Sequence, residues 1–198
     1  MLEKVGDMWR VGAEYEAVCI TTNGFVKKNG EAVMGRGCAA EAAEFWPGLP
    51  SLLGLDIRVN GNVVQVVKEV RLPVGRCATF SKRVHLVSFP VKPGFILPLN
   101  KAGTFDPPDQ ATVDASVVAH MRGQFKPDQQ IPGWACIAQP TLICDSAHQL
   151  VKLADSKGWK SILLPRPGCG AGELQWFDVS QILRPILDDR FSVISRKL

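Results

Sequence analysis

Short apolar runs alternate along the chain with stretches whose apolar positions recur every three or four residues. Residues 17–22, Ala-Val-Cys-Ile-Thr-Thr, read as a buried strand closed by Asn23-Gly24. Residues 25–31 are polar, with a second turn signal at Asn29-Gly30, and residues 32–37 form a loop of mostly small residues. The alanine-rich stretch 38–45, carrying Glu41 and Glu44, predicts a helix stopped by Pro47-Gly48. Alternation in 56–59 and 62–70 around Asn60-Gly61 predicts a β-hairpin. Residues 84–89 predict a strand ended by Pro90, and residues 134–139 another. An amphipathic helix is expected over 146–157, with Leu150, Leu153 and Ala154 on one face and Gly158 past its end. A strand over 161–164, a helix over 178–188 and a last strand over 191–194 complete the pattern. Asp178 is the expected N-cap of that helix, and Pro185 a kink.

One region breaks the alternation. Residues 92–108 are rich in Pro, Gly, Asp and Asn, 112–121 read as a short helix, and 124–133 are again turn-rich. Residues 93–133 are therefore expected to be an insertion or lid without a core of its own, within one domain spanning 1–198. Strands alternating with helices imply an α/β domain around a mostly parallel central sheet. In such sheets ligands bind beyond the carboxyl ends of strands.

Composition narrows the class. At 198 residues and 46% hydrophobic, the chain is long enough to bury a core without disulfides or metals. Its net charge of +4 is scattered and suits a small polyanionic ligand. A nucleic-acid module is disfavoured, because no basic stripe is present and the chain has a single tyrosine. Six cysteines form no C-x-x-C pair and the three histidines lie far apart, so no metal and no cofactor is expected. The first ten residues are charged, and no run reaches transmembrane length. Reduced thiols acting as small buried hydrophobes in a cytoplasmic protein, away from membranes, are the expectation, and the oligomeric state is left open.

The most specific chemistry sits in residues 163–176, Leu-Leu-Pro-Arg-Pro-Gly-Cys-Gly-Ala-Gly-Glu-Leu-Gln-Trp. Here an apolar strand runs into a loop with glycine at 168, 170 and 172. Alternate glycines let backbone N–H groups converge on a concavity suited to a phosphate. The spacing is neither that of the Walker loop nor that of the dinucleotide fingerprint, and an unliganded strand-to-helix turn is the plain alternative. A second loop, Val33-Met34-Gly35-Arg36-Gly37-Cys38-Ala39, follows the first strand. Both loops leave strands at their carboxyl ends and are expected to meet at one site.

These two loops resemble those of macrodomains, in the branch with a Met-Gly-x-Gly loop. That branch holds terminal ADP-ribose–protein glycohydrolases, DNA ADP-ribosyl glycohydrolase antitoxins and ADP-ribose-1″-phosphate phosphatases. Phe89-Pro90-Val91-Lys92 resembles its Phe-Pro-Thr-Lys strand end, and Gly6-Asp7-Met8 its Gly-Asp-Ile. The resemblance covers most of the chain outside 93–133 and implies a three-layer α/β/α sandwich with a mixed, mostly parallel sheet.

By resemblance, Asp7 accepts from the adenine amino group and Met8 fixes the base. Asn23, Met34, Gly35, Arg36, Gly37 and Cys38 line the distal ribose and one phosphate, and Pro165, Gly168, Cys169, Gly170, Ala171, Gly172, Glu173 and Leu174 wrap the diphosphate. Asn23 and Glu173 are the candidate catalytic residues. Each has a plain reading too: a strand-ending turn Asn, an exposed loop Glu, a solvated Asp7 and a surface Arg36; Lys92 either approaches the ligand or is solvated at its strand end, and Trp176 anchors the loop or flanks the site, with core packing the favoured reading. The branch's glycohydrolases carry a lysine shortly after the first loop and one of them an acid inside the second; here residues 39–45 lack lysine, and Gly172 stands at the acid's place. That departure favours hydrolysis of ADP-ribose-1″-phosphate to ADP-ribose. Removal of ADP-ribose from modified protein or nucleic acid, and a non-catalytic ADP-ribose reader, are the alternatives.

Overall fold

The computed structural model describes residues 1–74, 77–98 and 108–196. Residues 99–107 of the expected insertion lie outside that range. The central sheet contains β1 (Leu2–Val5), β2 (Ala17–Asn23), β3 (Gln65–Val74), β4 (Cys77–Lys92), β7 (Ile162–Pro165) and β8 (Phe191–Ser195). Its order is β1-β8-β7-β2-β4-β3, parallel throughout except for the antiparallel β3–β4 pair. A short pair, β5 (Phe95–Ile96) with β6 (Ile131–Pro132), forms a separate ribbon.

Alternation along β2 explains the layering. Val18 and Ile20 join a core with α1 (Met8–Val11), α2 (Gly37–Phe45) and α3 (Leu49–Asn60). Ala17 and Cys19 join the opposite core with α5 (Pro140–Lys157) and α6 (Trp176–Leu183). Ile143, Ala147, Leu150 and Ala154 make one buried stripe on α5 at helical spacing. Burying each larger side chain there is worth about 2 kcal/mol. The result is the three-layer α/β/α sandwich with a mixed, mostly parallel sheet that the sequence implies.

Several boundaries differ from expectation, each for a physical reason. Asn60-Gly61 does not turn a hairpin: residues 49–60 are helical, and Gly61, at φ 85°, ends α3 with its N–H on the Ile57 carbonyl. β4 continues through Pro90, because its ladder with β3 stops at Ser88 and the missing N–H then faces no partner strand. Residues 134–139 form no strand; beyond a single bridge from Cys136 to Val117 they follow an irregular path, and Ala135 and Cys136 are buried by the inserted lobe. α5 starts six residues earlier than expected, with Pro140 in its first turn. α6 spans Trp176–Leu183 behind Gln175, so Asp178 lies in its first turn instead of capping it, and Pro185 follows its end.

The lobe between β4 and α5 holds β5, α4 (Gln110–Ser116), a 3-10 turn at Ala119–Met121, and β6. Against expectation it has a small apolar cluster of its own, including Val113, Val117, Phe125 and Ile131. Its root is held by close backbone approach: a Cβ on Gly133 would lie 1.7 Å from the Pro93 carbonyl oxygen.

Candidate functional site

β2 and β7 pair only at Ala17–Ile162 and Val18–Leu163. Past Val18 the strands part, at the place where the connections leave in opposite directions. A cleft opens there, in two chambers of about 520 and 730 Å³. Both are lined by Gly37, Cys38, Pro165, Arg166 and Gly170, so they are continuous. The two glycine loops meet as the sequence leads one to expect. Met34, Gly35, Arg36, Gly168, Ala171, Gly172 and Asn23 line the inner chamber, and Cys169, Glu173 and Leu174 the outer one.

The glycines do different jobs. Gly168 has φ 74°, and a Cβ on Gly172 would lie 2.5 Å from the Gly168 carbonyl oxygen, so these two shape the loop. Cβ atoms built on Gly35 and Gly170 meet nothing within 4 Å. Those two line the open cleft and let a ligand approach the backbone. Gly37, Cys38 and Ala39 form the first turn of α2, whose N–H groups lack intrahelical partners and carry the positive end of the helix dipole.

Several side chains are committed within the loops. The Asn23 amide donates to the Val33 carbonyl at 2.9 Å and accepts from the Phe25 N–H at 3.0 Å, fixing the first loop. Glu173 is exposed, with φ 60°, and both its oxygens accept from the Ala119 N–H at 2.9 Å. That carboxylate ties the second loop to the lobe. Arg36, exposed, places its guanidinium 3.5 Å from His120 Nδ1. Asp7 caps α1, accepting from the Trp9 N–H at 2.9 Å, while its neighbours Gly6 and Met8 line the outer chamber. Trp176 is half-buried: it packs against the core beneath α5 and α6 and also lines the outer chamber, its Nε1 donating to Glu3 at 2.9 Å.

Lys92 has two readings from the sequence, a ligand neighbour or a solvated lysine, and the structure excludes the second. It is not solvated: it is 6% exposed, lines the inner chamber, and donates from Nζ to the Ala171 carbonyl at 2.7 Å. Burial pushes its ammonium down to about 8; Cys136 and Glu173 oppose that fall and Arg36 assists it. Burial also raises the Cys38 thiol, and Cys136 and Cys169 to about 11, so these remain thiols at neutral pH. Thr21 Oγ1 contacts Cys38 Sγ at 3.4 Å, whereas Thr22 Oγ1 is buried at the inner chamber without a protein partner. His120, Met121 and Trp134 supply the lobe's wall of that chamber. No local sequence signal marks these three.

A mixed six-stranded sheet between two helical layers, with a cleft between glycine loops at the strand ends, is the macrodomain architecture, and the chain has that fold. Over 98% of its length it is similar to the macrodomain of DarG from Mycobacterium tuberculosis, at 18% identity and TM-score 0.57, covering 95% of that chain. The DarG macrodomain of Thermus aquaticus gives 18% identity and TM-score 0.55, with 98% and 95% covered. DarTG of Thermosipho africanus, solved in complex with ADP-ribose, gives 16% and 0.56, with 96% of this chain and 39% of that one covered. No family profile and no curated protein matches the chain. No helix among the described residues is long and apolar enough to cross a membrane.

Proposed function

We propose that the cleft binds ADP-ribose joined through its distal ribose to another group, and that it hydrolyses that link. The observation carrying this reading is Lys92, an amine buried in the inner chamber with its pKa lowered to about 8. About one-tenth of such an amine is uncharged at pH 7, far more than for a solvated lysine. The outer chamber, bordered by Gly6 and Met8, takes the adenosine. The amides at Gly37, Cys38 and the 168–173 loop hold the diphosphate. The distal ribose then lies in the inner chamber with Lys92. A protein with this fold, solved in complex with ADP-ribose, supports the choice of ligand.

In the reaction, neutral Nζ attacks the anomeric carbon. The bond from that carbon to the attached group breaks, its electron pair leaves with the group, and a proton from the new ammonium follows it. Water then adds to the same carbon, the C–N bond breaks, and ADP-ribose and lysine are released. Asn23 and Glu173 serve the geometry: one holds the first loop, the other fastens the second loop to the lobe. Calorimetry with ADP-ribose tests binding. In the covalent intermediate the bond from the ring oxygen to the anomeric carbon can break, the nitrogen's proton passing to that oxygen to leave an imine, so borohydride trapping during turnover of an ADP-ribosylated protein or oligonucleotide tests the chemistry. The wild type is expected to gain the mass of one ADP-ribose and Lys92→Met none; equal trapping in both would end the assignment.

A second reading rests on Arg36, His120 and Lys92 lining the same end of the chamber, which suits a 1″-phosphate. Phosphate release from ADP-ribose-1″-phosphate that survives Lys92→Met would select it.

A further inference from the structure

Arg166 stands where the two chambers join, lining both. Its guanidinium lies 4.9 Å from the centre of the Trp176 ring, stacked by a cation–π contact, and 3.7 Å from Glu3 Oε2. Its side chain is 22% exposed, so it is fixed but not sealed off.

Charge balance sets its role. Glu3 is one carboxylate shared by Arg166 and Arg184, and it also accepts from the Trp176 indole. Arg184 is closer, at 2.6 Å against 3.7 Å. Coulomb attraction falls with distance, so Arg184 takes the larger share of the neutralisation and Arg166 keeps most of its positive charge. The other charged groups lining the outer chamber are already engaged: Glu41 pairs with Arg196 at 2.7 Å, and Glu173 holds the Ala119 N–H. Glu173 keeps its charge on the outer side, but among the described residues Arg166 is the charged side chain that lines both chambers, and Arg36 and Lys92 add positive charge on the inner side. Arg166 also follows Pro165 at the root of the 168–173 loop, whose Gly168, Gly170, Ala171 and Gly172 line the same cleft.

We propose that Arg166 is a diphosphate-binding residue, held in place by Trp176 and Glu3, that selects for ligands carrying two linked phosphates over the bare nucleoside. This rests on the reading of the cleft as an ADP-ribose site, and goes beyond it by assigning a side chain to the phosphates. A planar guanidinium matches phosphate geometry with paired donors, and such charge-assisted bonds discriminate strongly.

The test measures affinity for adenosine, ADP and ADP-ribose by calorimetry, in the wild type, Arg166→Met and Arg166→Lys, each checked for unchanged thermal unfolding. Arg166→Met is expected to weaken ADP and ADP-ribose roughly tenfold to a hundredfold while adenosine is unaffected. Arg166→Lys is expected to recover part of the loss. The salt dependence of ADP affinity is expected to flatten in Arg166→Met, which a packing role would not cause. Equal loss for adenosine, or unchanged ADP affinity and salt dependence, would overturn the proposal while leaving the cleft's reading intact. A wild type that binds neither ADP nor ADP-ribose would overturn both.

Discussion

Replacing Lys92 with Met leaves a side chain of similar length in the same buried place and removes the charge. In the folded protein the ammonium falls from 10.5 to about 8, chiefly through burial. At about 1.4 kcal/mol per pH unit, that drop means that folding works against about 3 kcal/mol at neutral pH. The sign follows from proton binding. Between pH 8 and 10.5 the unfolded chain keeps the Lys92 proton and the folded chain has lost it, so stability from this group rises with pH across the window. Below pH 8 both states hold the proton and the full penalty applies; above 10.5 neither does and it vanishes. Lys92→Met also loses the bond to the Ala171 carbonyl, but Ala171 is exposed and water replaces the donor. The variant is therefore expected to be more stable than the wild type by up to about 3 kcal/mol at pH 7. The gap should close as pH approaches 10.5. Urea unfolding of both proteins at pH 7, 8, 9, 10 and 10.5 measures the difference, and the other titrating groups cancel. Cys136, the neighbour of Lys92 that titrates nearest this range, is itself raised to about 11 and stays an uncharged thiol over most of it. A difference independent of pH, or a wild type more stable throughout, would refute the burial argument.

Three further outcomes are expected. Glu173→Gln keeps an oxygen for the Ala119 N–H and should retain most hydrolysis, whereas Glu173→Ala should lose ligand affinity; loss of turnover in Glu173→Gln with affinity intact would mark the carboxylate as a general base instead. Asn23→Ala should cost about 1–3 kcal/mol in thermal unfolding by releasing the Val33 carbonyl and Phe25 N–H, and weaken ADP-ribose binding; unchanged unfolding would contradict its role in the loop. Thr22→Val removes a buried hydroxyl without a partner and should leave the unliganded protein as stable or more so, checked by calorimetric scanning; a marked loss of stability would reveal a bond not accounted for.

The sheet and the meeting of the two loops were legible because both rest on local signals. β2 follows from an apolar run, and each loop from glycines next to a strand end. Asn60-Gly61 misled because a glycine in left-handed backbone serves a hairpin and a helix end equally, and alternation over 56–59 is too short to separate them. The place of Lys92 is a tertiary fact: its partner, Ala171, is 79 residues away on the second loop, and Cys136, which influences its charge, lies in the lobe. Trp176 meets both of its readings, packing against the core and flanking the cleft, and its indole partner Glu3 at the other end of the sequence is again a tertiary fact. The lobe's contribution was out of reach, since nothing local says which of its residues faces the cleft.

The inserted lobe touches both glycine loops through single hydrogen-bonded stitches: Ala119 to Glu173, Ala138 N–H to the Gly172 carbonyl at 3.0 Å, and His120 beside Arg36. If a ligand binds more tightly while these stitches are made, its binding strengthens them in turn. By reciprocity, a ligand that never contacts Ala119 should slow hydrogen exchange at its amide by the factor with which the closed lobe favours that ligand. Sequence changes in the lobe's small apolar cluster around Val117 and Ile131 are then expected to alter ligand affinity while leaving every group that touches the ligand in place.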